Sequence, residues 1–242
     1  KQLDKLQLKD LPRTTRKYPF VDFKSEREVG NDLLIVDGIS KTIDGEKILD
    51  NVRFSINKND KVVFISKNDL ALTTLLDILS GELEPDSGKI EWGVTTSRSY
   101  FPTDNSKFFE STKDNLVDWL RTFSKEKDET FIRGFLGKML FRGDDALKKT
   151  NVLSGGEKVR CMLSKMMLSG ANVLLFDGPT NHLDLESISS VNDGMKKFAG
   201  TILFTSHDHE LVQTVANRVI EINGSVGFDK EATFEEYLNT LD

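Results

Sequence analysis

Leu153-Ser154-Gly155-Gly156-Glu157-Lys158 is the stretch on which the fold of this chain turns. It stands between a loop, residues 148 to 152, and an almost wholly apolar run, residues 159 to 168, that reads as a buried helix. Ser154 is a good N-cap, and Glu157 three residues on gives the spacing of a capping box. Gly155 and Gly156 leave the first-turn N–H groups without a neighbouring Cβ, so a phosphate could approach them. Taken alone, this pattern also fits a Gly-rich cap on an ordinary core helix. The continuation decides between the two. Val173-Leu174-Leu175-Phe176-Asp177 is an apolar strand ending in a carboxylate, and Gly178-Pro179-Thr180-Asn181-His182-Leu183-Asp184 follows it directly.

Outward from this centre, strands and helices alternate. Residues 33 to 36 start a strand, Gly45 makes a turn, and residues 52 to 56 alternate as an antiparallel strand does. Residues 61 to 65 and 201 to 205 are continuous apolar runs, the mark of buried parallel strands. A helix is expected over residues 72 to 79, ending at Ser80-Gly81. Short strands follow at 89 to 92 and 97 to 101, then a helical region from 111 to 141 spaced by Leu116, Trp119, Leu120, Phe123, Phe131, Phe135 and Leu140. Beyond Asp184 come a helix to about Phe198, a helix over 210 to 217, a strand over 218 to 222 and an amphipathic helical tail over 234 to 241. This order predicts an α/β fold with a mostly parallel sheet flanked by helices.

At 242 residues the chain is long enough for one large domain with a substantial core. With 30% charged and 38% hydrophobic residues it has the profile of a globular protein, not of a disordered chain. No apolar run approaches the roughly 20 residues that span a bilayer. The single cysteine, Cys161, sits on the apolar helix and reads as a buried, inert thiol, so a reducing cytoplasm is expected. A net charge of −6 argues against a nucleic-acid surface over the whole domain. The charge is uneven: residues 1 to 30 carry +3, which leaves −9 for the rest. That basic segment, with an expected short helix over residues 1 to 11, reads either as a solvated tail or as a nucleic-acid approach. The first residue is Lys1, from which a longer parent polypeptide is expected.

The pair of motifs resembles the signature and Walker B of ATP-binding cassette proteins, over residues 33 to 223. Asn181-His182-Leu183-Asp184 is similar to the D-loop of the ABC-F branch, soluble twin-cassette proteins of which many act on the ribosome. The resemblance implies an ABC-type nucleotide-binding domain, a P-loop NTPase sheet joined by an antiparallel β subdomain and a helical subdomain at about 105 to 155. It implies ATP and Mg²⁺ as ligands, with Thr73 and Asp177 holding the metal and His207 as the switch histidine. It further implies that residues 1 to 30 end an inter-cassette linker that approaches transfer and ribosomal RNA, making residues 31 to 242 the second, C-terminal cassette. The expected partner is the N-terminal cassette of the same polypeptide, in a head-to-tail sandwich with Asp184 at its interface, and no membrane is involved.

Against this pattern the phosphate site is degenerate. A working loop reads Gly-x-x-x-x-Gly-Lys-[Ser/Thr]; here Ser66-Lys67-Asn68-Asp69-Leu70-Ala71-Leu72-Thr73-Thr74 puts Ser66 and Ala71 at the glycines and Leu72 at the lysine. A lost charge-assisted contact costs about 1.5–3 kcal/mol. Non-Gly residues kept in left-handed positions would add about 1–2 kcal/mol, though Asp69 tolerates that region. Lys67 is free to be solvated surface or to reach a phosphate from another side. Gly178 stands where the family has the water-polarising Glu, a base typically worth about 10²–10⁴ in rate. Ile43 replaces the adenine-stacking aromatic and Thr103 the Q-loop glutamine, while Tyr100 and Phe101 nearby read as core. The expectation is a domain that hydrolyses weakly at its own site and lends Leu153 to Lys158 to a partner's ATP. Two other readings stay open: a competent ATPase of a membrane transporter, and a relic that binds no nucleotide.

Overall fold

The computed structural model describes residues 17–30, 32–110 and 114–240. Two sheets organise it. A three-stranded antiparallel sheet, in the order β2-β1-β4, comprises β1 (Asp32–Ile43), β2 (Glu46–Asn57) and β4 (Ser87–Trp92). A six-stranded sheet runs β5-β6-β7-β3-β8-β9. Its strands are β3 (Lys61–Ile65), β5 (Arg98–Phe101), β6 (Val173–Asp177), β7 (Thr201–Thr205), β8 (Arg218–Asn223) and β9 (Ser225–Lys230). Every pairing in it is parallel except β8 with β9.

β6 and β7 are buried at every residue, as strands covered on both faces must be. Side chains alternate between the faces, so Leu174 and Phe176 enter one core while Val173 and Leu175 enter the other. The second core lies under α1 (Asp69–Ser80) and the antiparallel sheet. The first holds α2 (Leu116–Phe123), α3 (Glu129–Lys138), α4 (Gly155–Ser169), α5 (Leu185–Lys197) and α6 (His209–Val215), with Tyr237 of α7 (Phe234–Leu238). β3, β6 and β7 all end toward one cleft, the ordinary ligand position in open α/β sheets.

The structure redraws several expected boundaries. α1 starts at Asp69, not residue 72, because the Asn68 side chain accepts the Leu70 N–H at 3.0 Å and caps the helix. The helical region expected from 111 to 141 is two helices; α2 ends at Phe123, and Asp128 caps α3 by accepting the Phe131 N–H. Residues 150 to 152 form a 3-10 turn, and β9 was not expected at all. The expected helix over residues 1 to 11 lies outside the described residues. Residues 17 to 30 are part of the packed unit, since Phe23 is 5% exposed and sits against Phe176 and Phe198.

One arginine with two carboxylate partners ties the far edge of the sheet together. The Arg218 guanidinium donates to Asp60 and Asp229, each at 2.8 Å, and to the Ser55 carbonyl at 2.9 Å, with only 11% of its side chain exposed. Removing one member of a buried pair strands the other's charge. Arg218→Ala is expected to cost about 3 kcal/mol in urea unfolding; a loss under about 1 kcal/mol, the worth of an exposed pair, would contradict this.

Candidate nucleotide site

The cleft at the strand ends encloses a cavity of about 190 Å³. Of the residues singled out from sequence, Ser66, Asp69, Leu72 and Thr73 line it from the first loop and helix. Thr103, Asp177, Gly178, Asn181 and His207 line it from the other strand ends. Asn68 lies outside the lining, and Ala71 and Thr74 are turned into the protein, 1% and 2% exposed. Lys67 is exposed and also outside. Ile43 is packed against the second core and Phe101 is core, as is most of Tyr100, whose hydroxyl donates to Asp77 at 2.9 Å.

Asp177 is the hub. It is 4% exposed, its Oδ2 accepts from the Thr73 hydroxyl and its Oδ1 from the Thr205 hydroxyl, both at 2.7 Å. Thr103 donates to the Asp177 carbonyl at 3.3 Å. Thr205 also accepts the Gly178 N–H at 3.1 Å, a role sequence reading missed. The only hint was a hydroxyl at the end of a buried strand. The adjacent Thr73 and Asp177 oxygens suit Mg²⁺, which takes oxygen ligands in a compact shell.

The loop entering α1 is tied to its own side chains. Ser66 Oγ accepts the Asn68 N–H and Asn68 Oδ1 accepts the Leu70 N–H, each at 3.0 Å. Two N–H groups of the loop, those of Asn68 and Leu70, are thus taken by the chain's own side chains. None of Ser66 to Ala71 has a positive φ, so the left-handed strain expected there is not incurred. The loop is a capped helix start. Leu72 is 7% exposed and belongs to the second core, while the Asp69 carboxylate stands 3.5 Å from His207 Nε2 at the rim. Among the lining residues, His207 is the sole basic side chain.

The stretch of residues 153 to 158 is built differently. Ser154 Oγ accepts the Glu157 N–H at 3.3 Å and Glu157 Oε2 accepts the Ser154 N–H at 2.8 Å, closing the capping box. Lys148 donates to Glu157 Oε1 at 3.0 Å. Burial alone would push the Glu157 carboxyl up, but these donors outweigh it and hold it below the usual range. The box occupies the third N–H of α4, so those of Gly155 and Gly156 have no partner within the helix. Ser154 and Gly155 are exposed, whereas Leu153 is 6% exposed and anchors the turn in the first core. Lys158 lies over the Phe109 ring at 5.9 Å. His182, at φ 64°, lies against the glycines: a Cβ on Gly156 would stand 3.3 Å from its carbonyl oxygen. Leu183 packs on the core, and Asp184 caps α5 by accepting the Ser187 N–H at 2.8 Å. The 181–184 loop therefore joins the two halves, Asn181 in the cavity and His182 on the signature.

The backbone at Gly178 disfavours a residue with a Cβ. Its φ is 60°, and a Cβ there would stand 2.6 Å from Asn181 Nδ2. Gly178→Glu is expected to cost about 1–2 kcal/mol of stability through its left-handed backbone and to give no gain in phosphate release. Stability unchanged and hydrolysis restored would contradict this geometry.

A family model described as ABC transporter matches residues 49–181. The whole chain is 58% identical to an uncharacterized ABC transporter ATP-binding protein, YkpA, of Bacillus subtilis, and spans 45% of that protein. It is 34% identical over 99% of its length to a probable ATP-binding protein, YbiT, of Escherichia coli O157:H7, again spanning 45% of the relative. It is 31% identical over 86% of its length to the energy-dependent translational throttle protein EttA of Escherichia coli K12, spanning 38% of it. The chain thus covers less than half of each of these relatives. Among solved structures, the dimeric ATP-binding cassette MJ0796 bound to ADP and Pi is similar at a TM-score of 0.69 and 17% identity, over 82% of this chain and 98% of that one. CbiO1 of Clostridium perfringens, part of an ABC transporter complex, gives 0.64 at 20%, over 87% and 92%. At these identities the structures establish the fold. Among the described residues, no helix is long and apolar enough to cross a membrane.

Proposed function

Because this chain belongs to the ABC transporter family of ATP-binding cassettes, we propose that it is the second, C-terminal cassette of an ABC-F type protein that acts on the ribosome in the cytoplasm. The relatives that support this branch include EttA and ABC transporter F family member 5 of Arabidopsis thaliana, 27% identical over 98% of the chain. In this reading residues 1 to 30 end the linker from the first cassette, through which the parent meets ribosomal and transfer RNA. Residues 31 to 242 form the second cassette.

The observation that carries the reading is the contrast between two helix starts. At α1 the Asn68 side chain takes the Leu70 N–H and Ser66 takes the N–H of the capping residue itself, whereas at α4 the cap leaves the N–H groups of both Gly155 and Gly156 untaken. A helix start with bare N–H groups favours an anion. Ser154, Gly155 and Gly156 then face the γ-phosphate held by the other cassette in a head-to-tail sandwich, and Asp184 lies at that interface. Bound at the partner's Walker loop, Mg-ATP supplies the phosphoanhydride that is cleaved. This chain's residues orient and neutralise its terminal phosphate. At its own site, Leu72 and Gly178 leave neither the lysine nor the general base, and weak hydrolysis follows.

A Cβ at Gly155 would meet only His182, at 3.6 Å, so Gly155→Asp should fold normally. In the full-length parent this carboxylate is expected to lower ATP turnover about 10²-fold and to abolish ATP-dependent pelleting with ribosomes. Wild-type pelleting by this variant would contradict the reading.

A further inference from the structure

We infer that residues 20 to 26 are a brace that sets how the signature-bearing helices sit against the Walker B strand. The segment has no regular secondary structure, yet it is anchored on both bodies. On the helical side, the Phe20 N–H donates to the Lys138 carbonyl at the end of α3 at 3.0 Å, and the Lys138 ammonium lies over the Phe20 ring. The Asp22 N–H donates to Met167 Sδ of α4 at 3.2 Å. The Glu26 N–H donates to the Gly170 carbonyl at 3.0 Å, and its carboxylate pairs with Lys125 between α2 and α3.

On the sheet side, Phe23 sets its ring edge-on to Phe176, the residue before Asp177, at 5.6 Å, and to Phe198 at 6.3 Å. Val21 lies on α5 where a Cβ at Gly194 would come 2.6 Å from its Cγ1 and 2.9 Å from its carbonyl oxygen. Glycine inside a helix is unfavourable, and the close approach of Val21 gives this one a reason. Gly170, at φ 62°, leaves the corresponding space for Glu26. Both glycines are shaped to the segment.

Such a strap makes the direction of Ser154 to Gly156 depend on the chain leading into residue 20. Displacement of that chain acts first on α3 and α4, and through Phe23 on the strand that carries Asp177. The structural claim stands without the proposed function; only its consequence for a partner's ATP rests on that reading.

Spin labels on Asn151→Cys, beside the signature, and Lys47→Cys, on the antiparallel sheet, report the angle in the full chain, with Cys161 buried and unlabelled. The braced chain is expected to give one narrow distance distribution. Gly194→Ala, which pushes Val21 off α5, and Phe20→Pro, which removes the donor to Lys138 at a half-exposed position, are each expected to add a second population while melting stays cooperative. An unchanged distribution in folded Phe20→Pro and Gly194→Ala overturns the brace. If Gly194→Ala fails to fold, Phe20→Pro decides alone. A second population with unaltered ATP-dependent ribosome pelleting by the parent leaves the brace standing and refutes its link to the partner's site.

Discussion

A single buried carboxylate fixes the geometry of the cleft. Asp177 closes β6 and accepts hydrogen bonds from the hydroxyls of Thr73 on α1 and Thr205 on β7, so three elements meet at one side chain. A carboxylate this deep is tolerated only when its oxygens are hydrogen-bonded. The same bonds that keep it there also align the carboxyl ends of the strands. From that junction Gly178 turns with positive φ into the 181–184 loop, which crosses to the signature glycines.

What separates the two halves is the way each helix satisfies its first turn. Asn68 caps within two residues and, with Ser66, folds the loop back on itself. Ser154 caps at the third residue, with Glu157 held from the other side by Lys148, and leaves two glycine N–H groups uncapped. Both starts are sound by the rules of helix capping. The second leaves the N–H groups of two successive glycines beyond its cap, whereas the first opens on a cavity that holds Asp69 and Asp177 and no lysine.

Legibility followed the range of the interaction. The capping box at Ser154 and Glu157 and the buried strands at 61 to 65, 173 to 177 and 201 to 205 are local patterns, and all were readable from sequence. The Asn68 cap was equally local, but comparison with a phosphate-loop template drew the helix start to residue 72. The break between α2 and α3 was signalled by polar Ser124 to Asp128 and overridden by the spacing of the aromatics. Thr205 on Asp177, Phe23 in the core and the crowding of Gly178 by Asn181 are tertiary facts. No spacing along the chain announces them.

Phosphate release by the isolated chain at millimolar Mg-ATP bears most directly on the proposed division of labour, because no second signature or second Walker loop is present. Release close to the buffer rate is expected, since Leu72 stands at the lysine position and Gly178 at that of the general base. Sustained multiple turnover from this chain alone would contradict it.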